Sequence, residues 1–177
     1  GGQTLLPLLN LRMSQPFILV DINNIEALKG IERANGYTRI GSMTRQCEAI
    51  ESETLAQHLP ALVTAVKHVG HYQTRTRGTV GGSITLGEPA AELPATAVAL
   101  DAIIEVQSVE GVRKIPASEF YFGPFMNALE PNELVTSINF PDWPAGHSTL
   151  FYELSQRPGD FALAGLVGAL AIESGKV

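Results

Sequence analysis

Two glycine pairs, each beside a small hydroxyl residue, dictate where this chain must turn tightly. One opens the chain as Gly1-Gly2-Gln3-Thr4, and the other lies in mid-chain as Gly78-Thr79-Val80-Gly81-Gly82-Ser83. Glycine has no Cβ, so its backbone N–H can come close to a phosphate oxygen. Thr4 and Ser83 can each add a side-chain hydrogen bond. The apolar run Leu5-Leu6-Pro7-Leu8-Leu9 after the first turn predicts a helix whose positive end faces an anion. A single Gly-Gly pair reads as a tight turn and nothing more. Two such loops on one domain suit a diphosphate gripped from both sides.

The chain has 177 residues, enough for one large domain or two small ones. It is 45% hydrophobic and 17% charged, the balance of an ordinary folded protein. A net charge of −6 argues against a nucleic-acid surface. His58, His68, His71 and His147 show no metal-ligand spacing, so no metal site is expected. Cys47 is the single cysteine; it can form no disulfide within the chain and hold no iron–sulfur cluster, which fits a reducing cytoplasm. No apolar run is long enough to span a bilayer. A start inside a Gly-Gly turn without methionine leads us to expect a fragment of a longer subunit.

Periodicity predicts a mixture of strands and helices. Phe17–Ile22 reads as a fully buried strand, and Asn23–Leu28 as a short helical turn with an Asn cap. Residues 30–33 and 37–41 read as a hairpin with Asn35-Gly36 at its tip. Thr44 is placed to cap a helix through Ile50, and Pro60–Val69 is the best amphipathic helix, closed by Gly70. Residues 71–77 read as a polar, basic loop. Residues 90–100 read as a helix, with Pro94 tolerated near its first turn. A second hairpin spans 102–108 and 111–116, a helical turn 117–120, and a strand 134–140. Pro141–Gly146 is the clearest linker. Residues 150–155 read as a strand, and 161–172 as either a strand or a helix. Hairpins without strict β–α alternation point to α+β, and neither glycine turn reads G-x-G-x-x-G, which argues against a dinucleotide-binding parallel sheet.

These segments, taken together, resemble a known family. Gly1-Gly2-Gln3-Thr4-Leu5-Leu6-Pro7-Leu8-Leu9-Asn10-Leu11-Arg12 resembles the first flavin loop of the FAD-binding medium subunits of molybdenum hydroxylases, the carbon monoxide and xanthine dehydrogenase relatives. Arg75-Thr76-Arg77-Gly78-Thr79-Val80-Gly81-Gly82-Ser83 resembles their second flavin loop, and Glu88-Pro89-Ala90-Ala91-Glu92-Leu93-Pro94 the acidic stretch that follows it. Phe122-Gly123-Pro124, Glu133-Leu134-Val135 and Arg157-Pro158-Gly159-Asp160-Phe161-Ala162 follow in the family's order.

The resemblance implies an α+β FAD-binding fold of the vanillyl-alcohol-oxidase (PCMH) type. It implies that the N-terminal subdomain and most of a small C-terminal domain are missing from the chain. Residues 1–145 would be the main FAD-binding part and 146–177 the start of the C-terminal domain. Gly1, Gly2, Gln3 and Thr4 would hold the FAD diphosphate from one side; Thr79, Gly81, Gly82 and Ser83 would hold it from the other. Glu92 stands where a family carboxylate meets the cofactor; its other reading is an acid favoured at a helix N-terminus. Val135 would make a backbone contact beside the flavin or adenine. Phe161 would sit near the reactive edge of the flavin ring; its other reading is a core aromatic. The chain departs from the family at Ser83, often Asn, and at Thr85-Leu86-Gly87-Glu88, often Ala-His-Ala-Asp.

By resemblance, the function is electron transfer. Electrons would pass from a molybdenum cofactor on a large subunit, through 2Fe-2S clusters on a small subunit, to FAD and an external acceptor. The complex would be a cytoplasmic dimer of heterotrimers, with no catalytic residue on this chain. The alternatives are a stand-alone flavin oxidase or reductase of the same fold, and a non-catalytic anion-binding module.

Overall fold

The computed structural model describes residues 1–172. Its strands are β1 (Ile31–Ala34), β2 (Tyr37–Gly41), β3 (Ile103–Ser108), β4 (Gly111–Pro116), β5 (Tyr121–Gly123), β6 (Met126–Asn127), β7 (Leu134–Pro141), β8 (Ser148–Ser155) and β9 (Ala162–Leu170). Its helices are α1 (Leu5–Asn10), α2 (Gln46–Glu51), α3 (Glu53–His58), α4 (Pro60–His68), α5 (Tyr72–Arg75), α6 (Val80–Leu86), α7 (Glu92–Ala99) and α8 (Ala117–Phe120).

An antiparallel sheet in the order β1-β2-β7-β3-β4 organises the molecule. Both expected hairpins form its edges, and the strand expected late in the chain becomes its centre. The register lines up one isoleucine from each strand. Ile31 pairs with Ile40, Ile40 with Ile138, Ile138 with Ile104, and Ile104 with Ile115. β-branched side chains suit such a pleated row. Ile40, Ile138 and Ile104 are fully buried against Leu62, Val66, Val80, Ile84 and Leu93 of the helical layer.

A β-bulge interrupts this regularity at the join of β3 and β7, between Glu105 and Val106. Val106 pairs with Val135, which leaves Thr136 as the extra residue. Its hydroxyl donates to the Glu105 carbonyl at 3.2 Å, and its carbonyl accepts from the Ser42 N–H at 3.0 Å. The bulge thus turns a central strand toward the segment that precedes α2.

The helices form as the spacing predicts over Pro60–His68 and Glu92–Ala99, with Pro60 opening α4 and Pro94 in the first turn of α7. Residues 71–77 contain the short helix α5 rather than a continuous loop. Thr44 does not cap α2: its hydroxyl donates to the Gly30 carbonyl at 3.0 Å, and Arg45 takes the cap position, its N–H donating to Glu48 at 2.8 Å. Ile25, not an asparagine, precedes the short 3-10 turn at Glu26–Leu28.

One expectation fails outright. Phe17–Val20 is neither a strand nor buried; Phe17 is 99% exposed. An apolar run reveals that a segment suits a sheet, but not whether a neighbouring strand is there to pair with it.

The ambiguous segment 161–172 resolves as β9, paired along its length with β8. Backbone pairing to a strand settles what alanine and leucine leave open. This two-stranded sheet begins at Ser148, just beyond Pro141–Gly146. One face, with Phe151 and Glu153, lies against α4, while Leu150, Tyr152 and Leu154 point outward. Residues 173–177, the end of the expected C-terminal part, lie outside the described residues.

Candidate functional site

The two glycine turns meet in space. A Cβ placed on Gly1 would strike the Arg77 carbonyl and come within 2.9 Å of the Gly78 Cα. Backbone therefore packs on backbone, a contact only glycine permits. The first turn leads into α1, with Gly2 at φ +75°. Among the described residues, the N–H groups of Gly2, Gln3 and Thr4 have no backbone partner, and Thr4 makes no side-chain cap bond. Unpaired donors on an exposed turn are free for an anion.

The second turn is built differently. It is the entry to α6, so the residues read from sequence as a loop continue as helix. The Thr79 side chain accepts from the Gly82 N–H at 3.1 Å, a standard N-cap. The Gly81 N–H donates to the Ser42 carbonyl at 2.9 Å, and Ser83 N–H to Thr79 O at 3.2 Å. Thr79 and Gly81 are buried. The donors of Gly81 and Gly82 are thus engaged within the protein, and the two glycines have separate tasks. A Cβ on Gly81 would sit 2.7 Å from the Ser42 Cα and carbonyl oxygen; one on exposed Gly82 would meet only the Thr79 hydroxyl oxygen, at 2.8 Å. Gly81 permits close packing below, while Gly82 keeps the outer surface bare. Ser83, half-buried, stands one residue further along α6.

A buried framework supports this second turn. Gln46 N donates to Gly78 O and Val80 N to Thr44 O, each at 3.0 Å, bridging Arg45 and Thr79. Ser42 links the turn to the Thr136 bulge, which places Val135 one residue from that link. Val135 itself is buried in the core. At the far end, Gly87 closes α6 at φ +63°. Tyr121 Oη donates to Ile84 O at 3.1 Å and Asn127 Nδ2 to Thr85 O at 2.7 Å, so β5 and β6 satisfy the last carbonyls of α6. Burial pushes the Tyr121 phenol well up, which keeps it a neutral donor.

Glu92 opens α7 and is only 9% exposed. Burial pushes its carboxyl up to about 7, and the negative charge of Glu153 adds to the shift. Glu153 reaches in from β8; its Oε1 lies 3.7 Å from His68 Nδ1, and its buried Oε2 has no hydrogen-bond partner. Sequence reading finds Glu92 but not Glu153 or His68, because only the docking of β8 on α4 brings these groups near one another.

Phe161 precedes β9 and is 70% exposed, so it is not a core aromatic. The turn before it, with Gly159 at φ +88°, packs against the lead-in to α5: a Cβ on Gly159 would lie 2.8 Å from the Gly70 carbonyl and 2.6 Å from the His71 ring. This ties the turn two residues before Phe161 to the lead-in to α5.

The family described as "FAD binding domain in molybdopterin dehydrogenase" matches residues 1–143. The chain belongs to this family. It is 42% identical over 177 residues to the alpha subunit of the 6-hydroxypseudooxynicotine dehydrogenase complex of Paenarthrobacter nicotinovorans, covering 99% of this chain and 60% of that one. Its fold matches a structure of carbon monoxide dehydrogenase from Hydrogenophaga pseudoflava that lacks the Mo-pyranopterin moiety, with a TM-score of 0.94 and 37% identity over 98% of this chain and 60% of that one. Quinoline 2-oxidoreductase from Pseudomonas putida 86 gives a TM-score of 0.92 and 34% identity, over 98% and 60% of the two chains. The chain thus spans about 60% of the length of these relatives. FAD is the cofactor of this domain family, and the first glycine turn, whose Gly2, Gln3 and Thr4 N–H groups have no backbone partner among the described residues, packs through Gly1 on Arg77 and Gly78 at the entry to the second.

Proposed function

We propose that this chain is the FAD-seating part of an electron-transfer subunit in a molybdenum hydroxylase complex. The fold is read as the PCMH type, with residues 1–145 carrying the cofactor and residues from 146 onward opening a small C-terminal domain. A small subunit would hold 2Fe-2S clusters and a large subunit the molybdenum cofactor, in a cytoplasmic dimer of heterotrimers. The relatives support this: they are subunits of dehydrogenase or hydroxylase complexes, one of them named a carbon monoxide dehydrogenase medium chain. Bound FAD would supply the redox chemistry, and the protein's task is to bind, orient and shield it.

The observation that carries the reading is the packing of Gly1 on Arg77 and Gly78. It joins the turn that carries the free donors of Gly2, Gln3 and Thr4 to the segment that opens the second turn, and this contact supports a diphosphate held between the first turn and Gly82 and Ser83. Thr79 and Gly81 hold the second turn in shape from beneath. Glu92, poised near neutral pH, can donate a hydrogen bond to the cofactor or accept one. The Val135 backbone lies on the wall built from the bulge, and exposed Phe161 restricts access to the flavin edge. No proton-transfer or nucleophilic step is assigned to this chain.

Two experiments test the reading in the complete subunit. Gly82→Val places a branched side chain on the exposed face of the turn and should abolish FAD retention while far-UV circular dichroism stays near native. Stoichiometric flavin in that variant would sink the clamp. Purified without partner subunits, the subunit should not turn over aldehydes, purines or carbon monoxide. Robust dehydrogenase activity free of molybdenum and iron would overturn the assignment to a multi-subunit complex.

A further inference from the structure

We infer that Arg45 is the positioning residue that sets the spacing between the two glycine turns, and so controls FAD affinity without being part of either turn. Its guanidinium reaches two segments at once. One nitrogen donates to the Arg77 carbonyl, the same carbonyl on which Gly1 packs. The other donates to Asn23 Oδ1 at 2.8 Å. Asn23 is fixed in turn by Asp21, whose Oδ1 accepts from the Asn23 N–H at 2.8 Å and from its side-chain amide at 2.6 Å. The Arg45 backbone is pinned as well, by its N–H bond to Glu48 and by the bridge to Thr79.

Arg45 therefore ties the stretch that follows α1 to the entry of the second turn. The first turn is exposed and makes few bonds of its own. Without the brace, the Arg77 carbonyl and the 21–23 segment would each be free to move, and the two halves of the clamp would lose their common spacing. A planar fork is needed for this task. Lysine carries the same charge but presents a single ammonium on a flexible stem, and cannot hold two acceptors in fixed directions. Such a brace acts by lowering the ordering cost of binding.

The inference rests on the diphosphate-clamp reading, and the test separates the two. The complete subunit is stripped of flavin and titrated with FAD, following quenching of flavin fluorescence, for wild type, Arg45→Lys, Arg45→Ala, Asn23→Ala and the Arg45→Lys/Asn23→Ala double variant. Gly82→Val is run in parallel, and the melting temperature of each flavin-free form is recorded. Arg45→Lys should raise the FAD Kd by ~10-fold or more, nearly as much as Arg45→Ala, at both low and high salt. Asn23→Ala should weaken binding in the same direction, and the double variant should be no worse than Arg45→Lys alone, because both changes cut the same brace. An Arg45→Lys variant with wild-type affinity would show that only charge matters and would overturn the inference, as would additive losses in the double variant. If Gly82→Val loses FAD while the Arg45 variants keep it, the clamp stands and the brace fails. If Gly82→Val keeps FAD, the clamp itself fails.

Discussion

Glu92 is a carboxyl group at a helix N-terminus that solvent barely reaches. Its value of about 7 lies above the ordinary 4.5, so the folded protein holds a proton that the unfolded chain has released between those pH values. The cost of ionising Glu92 is therefore absent below about pH 4.5 and complete above about pH 7, and stability falls as pH rises through that window. Glutamine cannot ionise. In the flavin-free subunit, Glu92→Gln should raise the melting temperature by ~2–4 °C at pH 8, the equivalent of about 1 kcal/mol, and change it little at pH 4. Scanning calorimetry across pH checks this; an equal effect at both ends would remove Glu153 and burial as the cause. Phe161 makes the opposite case, an exposed side chain whose removal should cost stability less than about 0.5 kcal/mol. If it guards the flavin edge, Phe161→Ala should alter the rates at which different acceptors reoxidise the reduced complex while flavin stays bound. Unchanged stopped-flow rates would leave it without that role.

The second glycine turn shows how neighbouring residues of one type divide their work within an element. Gly81 faces inward, where Ser42 leaves no room for a Cβ; Gly82 faces out. Gly81→Ala should therefore destabilise the fold by about 1–3 kcal/mol through overpacking, visible as a lower urea midpoint even without flavin. Gly82→Val should chiefly affect cofactor retention. The sequence marks both glycines but cannot tell them apart, because the difference depends on Ser42, thirty-nine positions away from Gly81, and on the bulge at Thr136 that holds it. Local signals were enough elsewhere. Asn35-Gly36 closes a hairpin, Pro60 opens α4, and Gly70 follows its end, since turn and cap chemistry acts over a few residues. The strand expected at 17–22 was lost because pairing is not local.

Across the whole molecule, the isoleucine row joins all five strands of the main sheet to the helical layer. Ile138 lies at its centre, fully buried and flanked by Ile40 and Ile104. Ile138→Ala should cost about 2–5 kcal/mol, the range for a buried large-to-small change that leaves a cavity. Denaturant unfolding should show one cooperative transition at a lower midpoint with an unchanged slope. A loss well below this range would mean that the helices collapse onto the vacated space. The β8–β9 sheet lies against the helices on one side and turns Leu150, Tyr152 and Leu154 outward on the other, so its alternation records two different environments.

The sequence by itself determined the hairpins, most of the helices, the α+β class and, through residues matched in order, the FAD-binding family. These depend on backbone chemistry, side-chain periodicity and short motifs, all of which act within a few residues or survive as a pattern. Only the tertiary structure decided that the two turns touch, that Gly81 packs while Gly82 is bare, that Arg45 bridges two distant segments, and that Glu153 comes near both His68 and Glu92. Each depends on contacts between residues far apart in the chain, and such contacts arise from how the sheet, its bulge and the helices pack together. A one-dimensional pattern carries no signal of that packing.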